Sequence, residues 1–150
     1  MSLSTILTEE TVAIGLRSAD KHGIINEMLD LLVQSGSIVD KGAALQAILE
    51  RERKMSTGMK YGIAIPHGKT ASVGSLVACV GISKAPVPFD SLDGEPARIF
   101  IMTLSPPEKT GPHLQFLAEV SQLFKSEERR AAAVAARTPA ELLAIFTSTN

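Results

Sequence analysis

Two rhythms of apolar and polar positions run through the first third of the chain. Thr11–Leu16 (TVAIGL) alternates weakly, with the period of a strand. Ile24, Ile25, Met28, Leu29 and Leu32 then recur at helical spacing behind Ser18 or Asp20 as the capping residue, and Gly36 closes that helix. Asp40 caps a second helix, which sets Leu45, Ile48 and Leu49 on one face and runs to about Arg53. From Lys54 the texture changes. Met55–Lys69 (MSTGMKYGIAIPHGK) holds three glycines, a proline and a histidine, and only Ile63–Ile65 can form a short strand. Leu76–Ser83 and Ala97–Leu104 are apolar at nearly every position, as strands are when both faces of their sheet are covered. Between them, Ala85-Pro86-Val87-Pro88 and Asp93-Gly94 mark turns. A helix opens near Pro112 with Phe116, Leu117, Val120, Leu123 and Phe124 as its stripe. Ser126 caps the next helix, and Thr138-Pro139-Ala140-Glu141 is a capping box opening a terminal helix through about Phe146. Helices before and after the central strands predict an α/β fold, a helix/sheet/helix sandwich.

Composition narrows the function classes. The 150 residues show no repeat or linker and read as one domain spanning 1–150, long enough to bury a core without disulfides or metals. Hydrophobic residues make up 45% and charged residues 21%, the balance of an ordinary globule. A net charge of −1 argues against a duplex nucleic-acid binder, which carries a basic excess. The single cysteine, Cys79, excludes an internal disulfide framework and lies in an apolar run, as a small buried hydrophobe does. No stretch is apolar enough to cross a bilayer, and the N-terminus lacks a basic region followed by an apolar one, so the expected compartment is the cytoplasm.

Three histidines are present, and two stand in unusual surroundings. His67 follows Ile63-Ala64-Ile65-Pro66 and precedes Gly68, so its imidazole is expected in a loop beyond a strand end, where open α/β sheets form ligand crevices. Pro66 stiffens the backbone before it, and Gly68 lets a partner approach closely. A loop histidine capping a carbonyl fits the same local pattern. His113, in the first turn of its helix, falls at the edge of the buried stripe. The positive end of the helix dipole there attracts anions and disfavours an imidazolium, so His113 is expected to be neutral. A half-buried histidine satisfied by backbone fits it equally. His22 reads as a surface residue. Arg51 ends the second helix. It is either part of a solvated basic helix end or an arginine turned inward to hold phosphate oxygens bidentately, and composition does not choose. Ser56-Thr57-Gly58 offers hydroxyl and backbone N–H groups to the same anion, a weak signal by itself.

Taken in order, Arg51-Glu52, Ser56-Thr57-Gly58 and Gly62-Ile63-Ala64-Ile65-Pro66-His67-Gly68 resemble the active-site signature of enzyme IIA of the fructose/mannitol type, in the bacterial phosphoenolpyruvate-dependent sugar phosphotransferase system. That family includes a free-standing nitrogen-regulatory branch. The likeness continues through Pro88-Phe89-Asp90, Asp93-Gly94-Glu95-Pro96 and His113–Leu123. It implies a three-layer α/β/α sandwich on a mixed central sheet, phosphorylation of His67, a facing His113, and Arg51 helping to hold the phosphoryl group; Ser56, Thr57 and Gly58 are expected beside it by their own chemistry. It further implies an HPr-like phosphohistidine donor, a IIB domain or regulated proteins as the acceptor, and no cofactor or metal. Where the family often has Gly-Asn before the Gly-(Ile/Val)-Ala-Ile-Pro-His run, this chain has Lys60-Tyr61, which bears on loop shape and partner choice.

Two rivals weigh less. A metal site from His67, His113 and Cys79 matches no compact ligand motif, and a serine hydrolase lacks its Gly-x-Ser-x-Gly elbow. The role is the more open matter. Without a IIB or IIC domain in the sequence, a regulatory IIA is expected ahead of a transport IIA that hands its phosphate to a IIB domain.

Overall fold

The computed structural model describes residues 3–147. Its elements run α1 (Leu3–Ile6), a short 3-10 turn (Glu9–Thr11), β1 (Val12–Leu16), α2 (Lys21–Gln34), α3 (Lys41–Lys54), β2 (Ile63–Ala64), β3 (His67–Lys69), β4 (Val77–Val87), β5 (Ala97–Ser105), α4 (Thr110–Leu123), α5 (Glu127–Ala135) and α6 (Pro139–Thr147). The side-chain oxygens of Asp20, Asp40 and Ser126 accept backbone N–H bonds at the starts of α2, α3 and α5, satisfying donors that a helix leaves unpaired. Of the two candidates for the first cap, Asp20 is the one used.

The sheet is mixed, in the order β1-β4-β5-β2, with β3 also on β5. β4 and β5 pair antiparallel at its centre; β1 joins β4 in parallel, and β2 and β3 join β5 in parallel. One face packs Ile24, Ile25, Met28, Leu29, Leu32 and Ile48 of α2 and α3 against Cys79, Phe100, Met102 and Leu104. The other packs Phe116, Val120, Leu123, Ala133, Leu142 and Phe146 of α4 to α6 against Val80, Ile99 and Ile101. This is the expected three-layer α/β/α sandwich.

In α3, Ile48 is buried together with Ala44, and Leu45 and Leu49 pack partly covered against the same core, the face expected for this helix. Two expectations are corrected. Ala85-Pro86-Val87 is no turn but the end of β4: the register slips between Ile82 and Val87, and Pro86 falls in that irregularity, where no ladder N–H is required. His67 does not stand in a loop. The chain turns from β5 at Ile65, whose N–H bonds to Thr57 O, and rejoins it at Pro66, whose carbonyl accepts the Thr103 N–H at 3.1 Å, with His67 opposite Thr103 and Lys69 opposite Ser105.

Candidate functional site

His67 lies at the edge of the sheet, between α3 and α4. An open cavity of about 480 Å³ there is lined by Ala47, Glu50, Arg51 and Lys54 of α3, His67, Gly68 and Lys69 of β3, and Thr110, His113 and Leu114 of α4. Three of the sequence candidates, His67, His113 and Arg51, therefore meet in one place. The two imidazole rings stand 5.0 Å apart, centroid to centroid, and are tilted by 41°.

The ring of His67 has one end fixed. Its Nδ1 lies 2.9 Å from the Ile65 carbonyl, which can only accept, so Nδ1 carries the proton and Nε2 keeps the lone pair. Burial, with the charges of Arg51 and Lys69, holds this imidazole below its usual pKa; the Ile65 bond and the Glu52 carboxylate pull the other way without prevailing. His113 is buried at 6% exposure, and its Nδ1 lies 3.2 Å from the Thr103 hydroxyl. Burial first, then His67 and Lys69, push its pKa down to about 4, in line with the neutral form expected at a helix start. Both rings are thus uncharged at neutral pH. Lys69 Nζ donates to Thr110 Oγ1 at 3.1 Å, tying β3 to the first turn of α4, and Lys109, the residue capping that helix, makes no side-chain cap bond.

Arg51 does line the cavity, but part of its guanidinium is engaged, since one terminal nitrogen donates to the Met55 carbonyl at 2.6 Å. The helix-end and anion-holding readings of this arginine are therefore compatible. Ser56, Thr57 and Gly58 are placed differently. They are not part of the cavity lining, and their polar groups are used within the fold: Ser56 Oγ donates to Phe89 O, Gly58 N–H to Ser56 Oγ, and Thr57 N–H and hydroxyl to Glu52. A Cβ on Gly58 would lie 2.8 Å from the Phe89 carbonyl, so this glycine serves packing. The triplet buttresses the site from behind, its Thr57 carbonyl accepting the Ile65 N–H at 3.0 Å.

Gly68 lines the cavity and also lets α3 approach. A Cβ there would come within 2.8 Å of the Ala47 backbone, so the close approach is by α3 of the same chain. The Lys60-Tyr61 pair sits in a tight turn, with Ile63 N–H bonded to Lys60 O and Met59 N–H to Ile63 O. Tyr61 and Gly62 both take left-handed backbone, with φ of 64° and 77°. Asparagine adopts that region more readily than tyrosine does. Here Asp93 accepts the Tyr61 N–H at 3.2 Å and Arg130 lies 4.2 Å above its ring. His22 is exposed, as expected. Cys79 is buried against α2 with its Sγ 3.6 Å from the Met28 carbonyl, and burial pushes its thiol pKa up; it takes no part in the histidine cavity.

Sequence reasoning missed Glu52, Thr103 and Lys69. Thr103 and Lys69 carry no local signature, because only the pairing of β3 with β5 and the approach of α4 bring them to the histidines. Glu52 had one: an acid beside Arg51, a few residues before a polar triplet. Among the described residues, no helix is long and apolar enough to cross a membrane, and no group of three or more His, Cys, Asp or Glu stands together as a metal site.

A family model described as "Phosphoenolpyruvate-dependent sugar phosphotransferase system, EIIA 2" matches residues 5–149. The fructose-specific EIIABC component of Bacillus subtilis (strain 168) is 39% identical over 130 residues, 87% of this chain but 20% of that protein. The fructose-specific EIIA component of Haloferax volcanii is 38% identical over 128 residues, 85% of this chain and 83% of that one. Among solved structures, the nitrogen regulatory protein IIA-Ntr of Neisseria meningitidis superposes with a TM-score of 0.89 at 28% identity, covering 97% of this chain and 99% of the other.

Proposed function

Since the chain belongs to the EIIA 2 family of the phosphoenolpyruvate-dependent sugar phosphotransferase system, we propose that it is a phosphohistidine carrier whose acceptor atom is Nε2 of His67. The observation that carries this reading is the bond from Nδ1 of His67 to the Ile65 carbonyl, which leaves Nε2 as the nucleophile beside a second histidine and an arginine. The Nε2 lone pair attacks phosphorus on a donor phosphohistidine, and the donor's phosphorus–nitrogen bond breaks with its electron pair returning to the donor ring. No proton has to leave His67, because the one it carries is on Nδ1. The depressed pKa keeps the lone pair free at neutral pH.

The neighbours stabilise charge in such a transfer. If Thr103 donates its hydroxyl hydrogen to Nδ1 of His113, the other ring nitrogen of His113 carries an N–H to give to a phosphoryl oxygen. Arg51 brings its remaining donors, and the first turn of α4 brings the positive end of its dipole. Ser56, Thr57 and Gly58 support the site by positioning rather than by direct contact with phosphate. The donor is an HPr-like carrier, and the whole chain acts as one carrier domain.

For the next step we place the regulatory role first, supported by the likeness to IIA-Ntr along the full chain. Transport is the second reading, favoured by the higher identity to the two fructose-specific relatives. Transfer of label from the phosphorylated chain to a fructose-type IIB domain separates them, since a regulatory protein passes little.

Incubation with phosphoenolpyruvate, enzyme I and an HPr-like carrier is expected to add one acid-labile, alkali-stable phosphate. His67→Ala abolishes it and His22→Ala does not. Full labelling of the His67→Ala protein refutes the assignment.

A further inference from the structure

The carboxylate of Glu52 takes part in no step described above, yet it is almost fully covered, with its side chain 7% exposed. Lys21 Nζ donates to Oε2 at 2.8 Å; the Thr57 N–H donates to the same oxygen at 3.0 Å and the Thr57 hydroxyl to Oε1 at 2.5 Å. Burial opposes ionisation, but the bonds from Lys21 and Thr57 outweigh it and hold the Glu52 pKa below the usual carboxylate value. Lys21 is held in turn by Asp90 at 3.1 Å and lies 4.9 Å from the centroid of the Phe89 ring. Thr57, 2% exposed, has both its donors committed to Glu52. Its carbonyl accepts the Ile65 N–H, and the Ile65 carbonyl accepts Nδ1–H of His67. An unbroken run of hydrogen bonds therefore joins a buried anion to the reactive ring without either touching the other.

We infer that Glu52 is a positioning residue for phosphoryl transfer: by clamping Thr57 it fixes the Ile65 carbonyl that commits His67 to one tautomer. This rests on the reading of His67 as the phosphoryl acceptor. A carboxylate suits the task because it accepts at both oxygens, whereas an amide in its place accepts at one and presents N–H groups at the other. The clamp is needed because Ile63–Lys69 is a thin edge. β2 and β3 together contribute five residues to the ladder, interrupted at Pro66, which has no N–H of its own to give. Glu52 also supplies negative charge behind a cavity whose basic groups, Arg51, Lys54 and Lys69, are opposed among its lining residues by Glu50, with His113 neutral.

Ring-nitrogen NMR of His67 in the unphosphorylated protein tests this. Glu52→Ala is expected to raise the fraction of His67 protonated at Nε2 and to slow phosphate acceptance by about two- to tenfold. Thr57→Ser, which keeps both donors, is expected to match the wild type in tautomer and rate. A folded Glu52→Ala protein with the wild-type tautomer overturns the inference, even if its melting temperature has dropped. Should Glu52→Ala not fold, Thr57→Val replaces it: it removes the hydroxyl alone, and an unchanged tautomer again overturns the inference. The NMR readout needs no phosphoryl donor. A wild type that takes no phosphate at His67 would refute the carrier reading while leaving the tautomer result to be judged separately.

Discussion

The centre of the sheet and its histidine edge are built by different forces. At the centre, β4 and β5 pair through an unbroken run from Val77 opposite Leu104 to Ile82 opposite Ile99, and side chains on both faces are buried by helices. Apolar area holds that region, and many side chains share the load. At the edge, β2 and β3 are short, Ile65-Pro66 separates them, and a few polar contacts stand where the centre has apolar area: Thr57 donates its N–H and hydroxyl to Glu52, Ile65 N–H to the Thr57 carbonyl, and His67 Nδ1–H to the Ile65 carbonyl. Stability and reactivity are therefore carried by nearly separate sets of residues, and changes in one region should leave the other's observable in place.

The largest test of that separation is Phe100→Ala. Phe100 is fully buried and its ring lies 5.6 Å from that of Phe89, so the variant is expected to lose about 3–5 kcal/mol of stability while its folded fraction still takes phosphate on His67. Urea unfolding beside a labelling assay checks both halves. Arg51→Lys is the reverse case: near-normal unfolding, with transfer slowed about tenfold to hundredfold, because an ammonium cannot copy a guanidinium fork. Normal transfer kinetics would return Arg51 to a helix end alone. Gly68→Ala should blur the boundary, since its Cβ would press on the Ala47 backbone and push α3 and β3 apart. A loss of about 1–3 kcal/mol is expected together with slower transfer; a loss of stability with unchanged transfer would show that α3 can shift without disturbing the site.

The smallest effect is in pH. His113 has a pKa of about 4 in the folded chain against 6.5 as its reference, so the unfolded chain binds more protons between those values. Its contribution to stability is present above about pH 6.5 and is lost as pH falls toward 4. His113→Gln should flatten the fall in unfolding midpoint between pH 7 and pH 5. A variant as acid-sensitive as the wild type in that window would show that other groups set the slope.

The layers were legible from periodicity, because Ile24 through Leu32 and Phe116 through Phe124 declare their buried faces and the two central strands are apolar throughout. His67 and His113 stood out through local chemistry, a proline before one and a helix start around the other. What escaped is relational. No local pattern says that Gly68 yields to α3, that Thr57 faces Glu52, or that Pro86 sits in a register slip rather than a turn. Those follow from which strand lies beside which, and the chain crosses from β3 to β5 only after the whole of β4. Tyr61 lies between these cases. Its left-handed backbone is unsuited to tyrosine, and the compensation comes from Asp93 and Arg130, far along the chain.

One bond has a consequence for the direction of traffic. With Nδ1 tied to a backbone carbonyl, His67 has one free ring nitrogen, so on the proposed reading a group that arrives at Nε2 would have to depart from Nε2, along the same line and past the same His113 and Arg51. Arrival and departure are then one path travelled both ways, and the features that ease entry ease return equally. Such a site imposes no valve. Net flow would then be set outside the domain, by how fully charged its donors and acceptors are, and the chain would report that ratio as the fraction of its own molecules carrying phosphate.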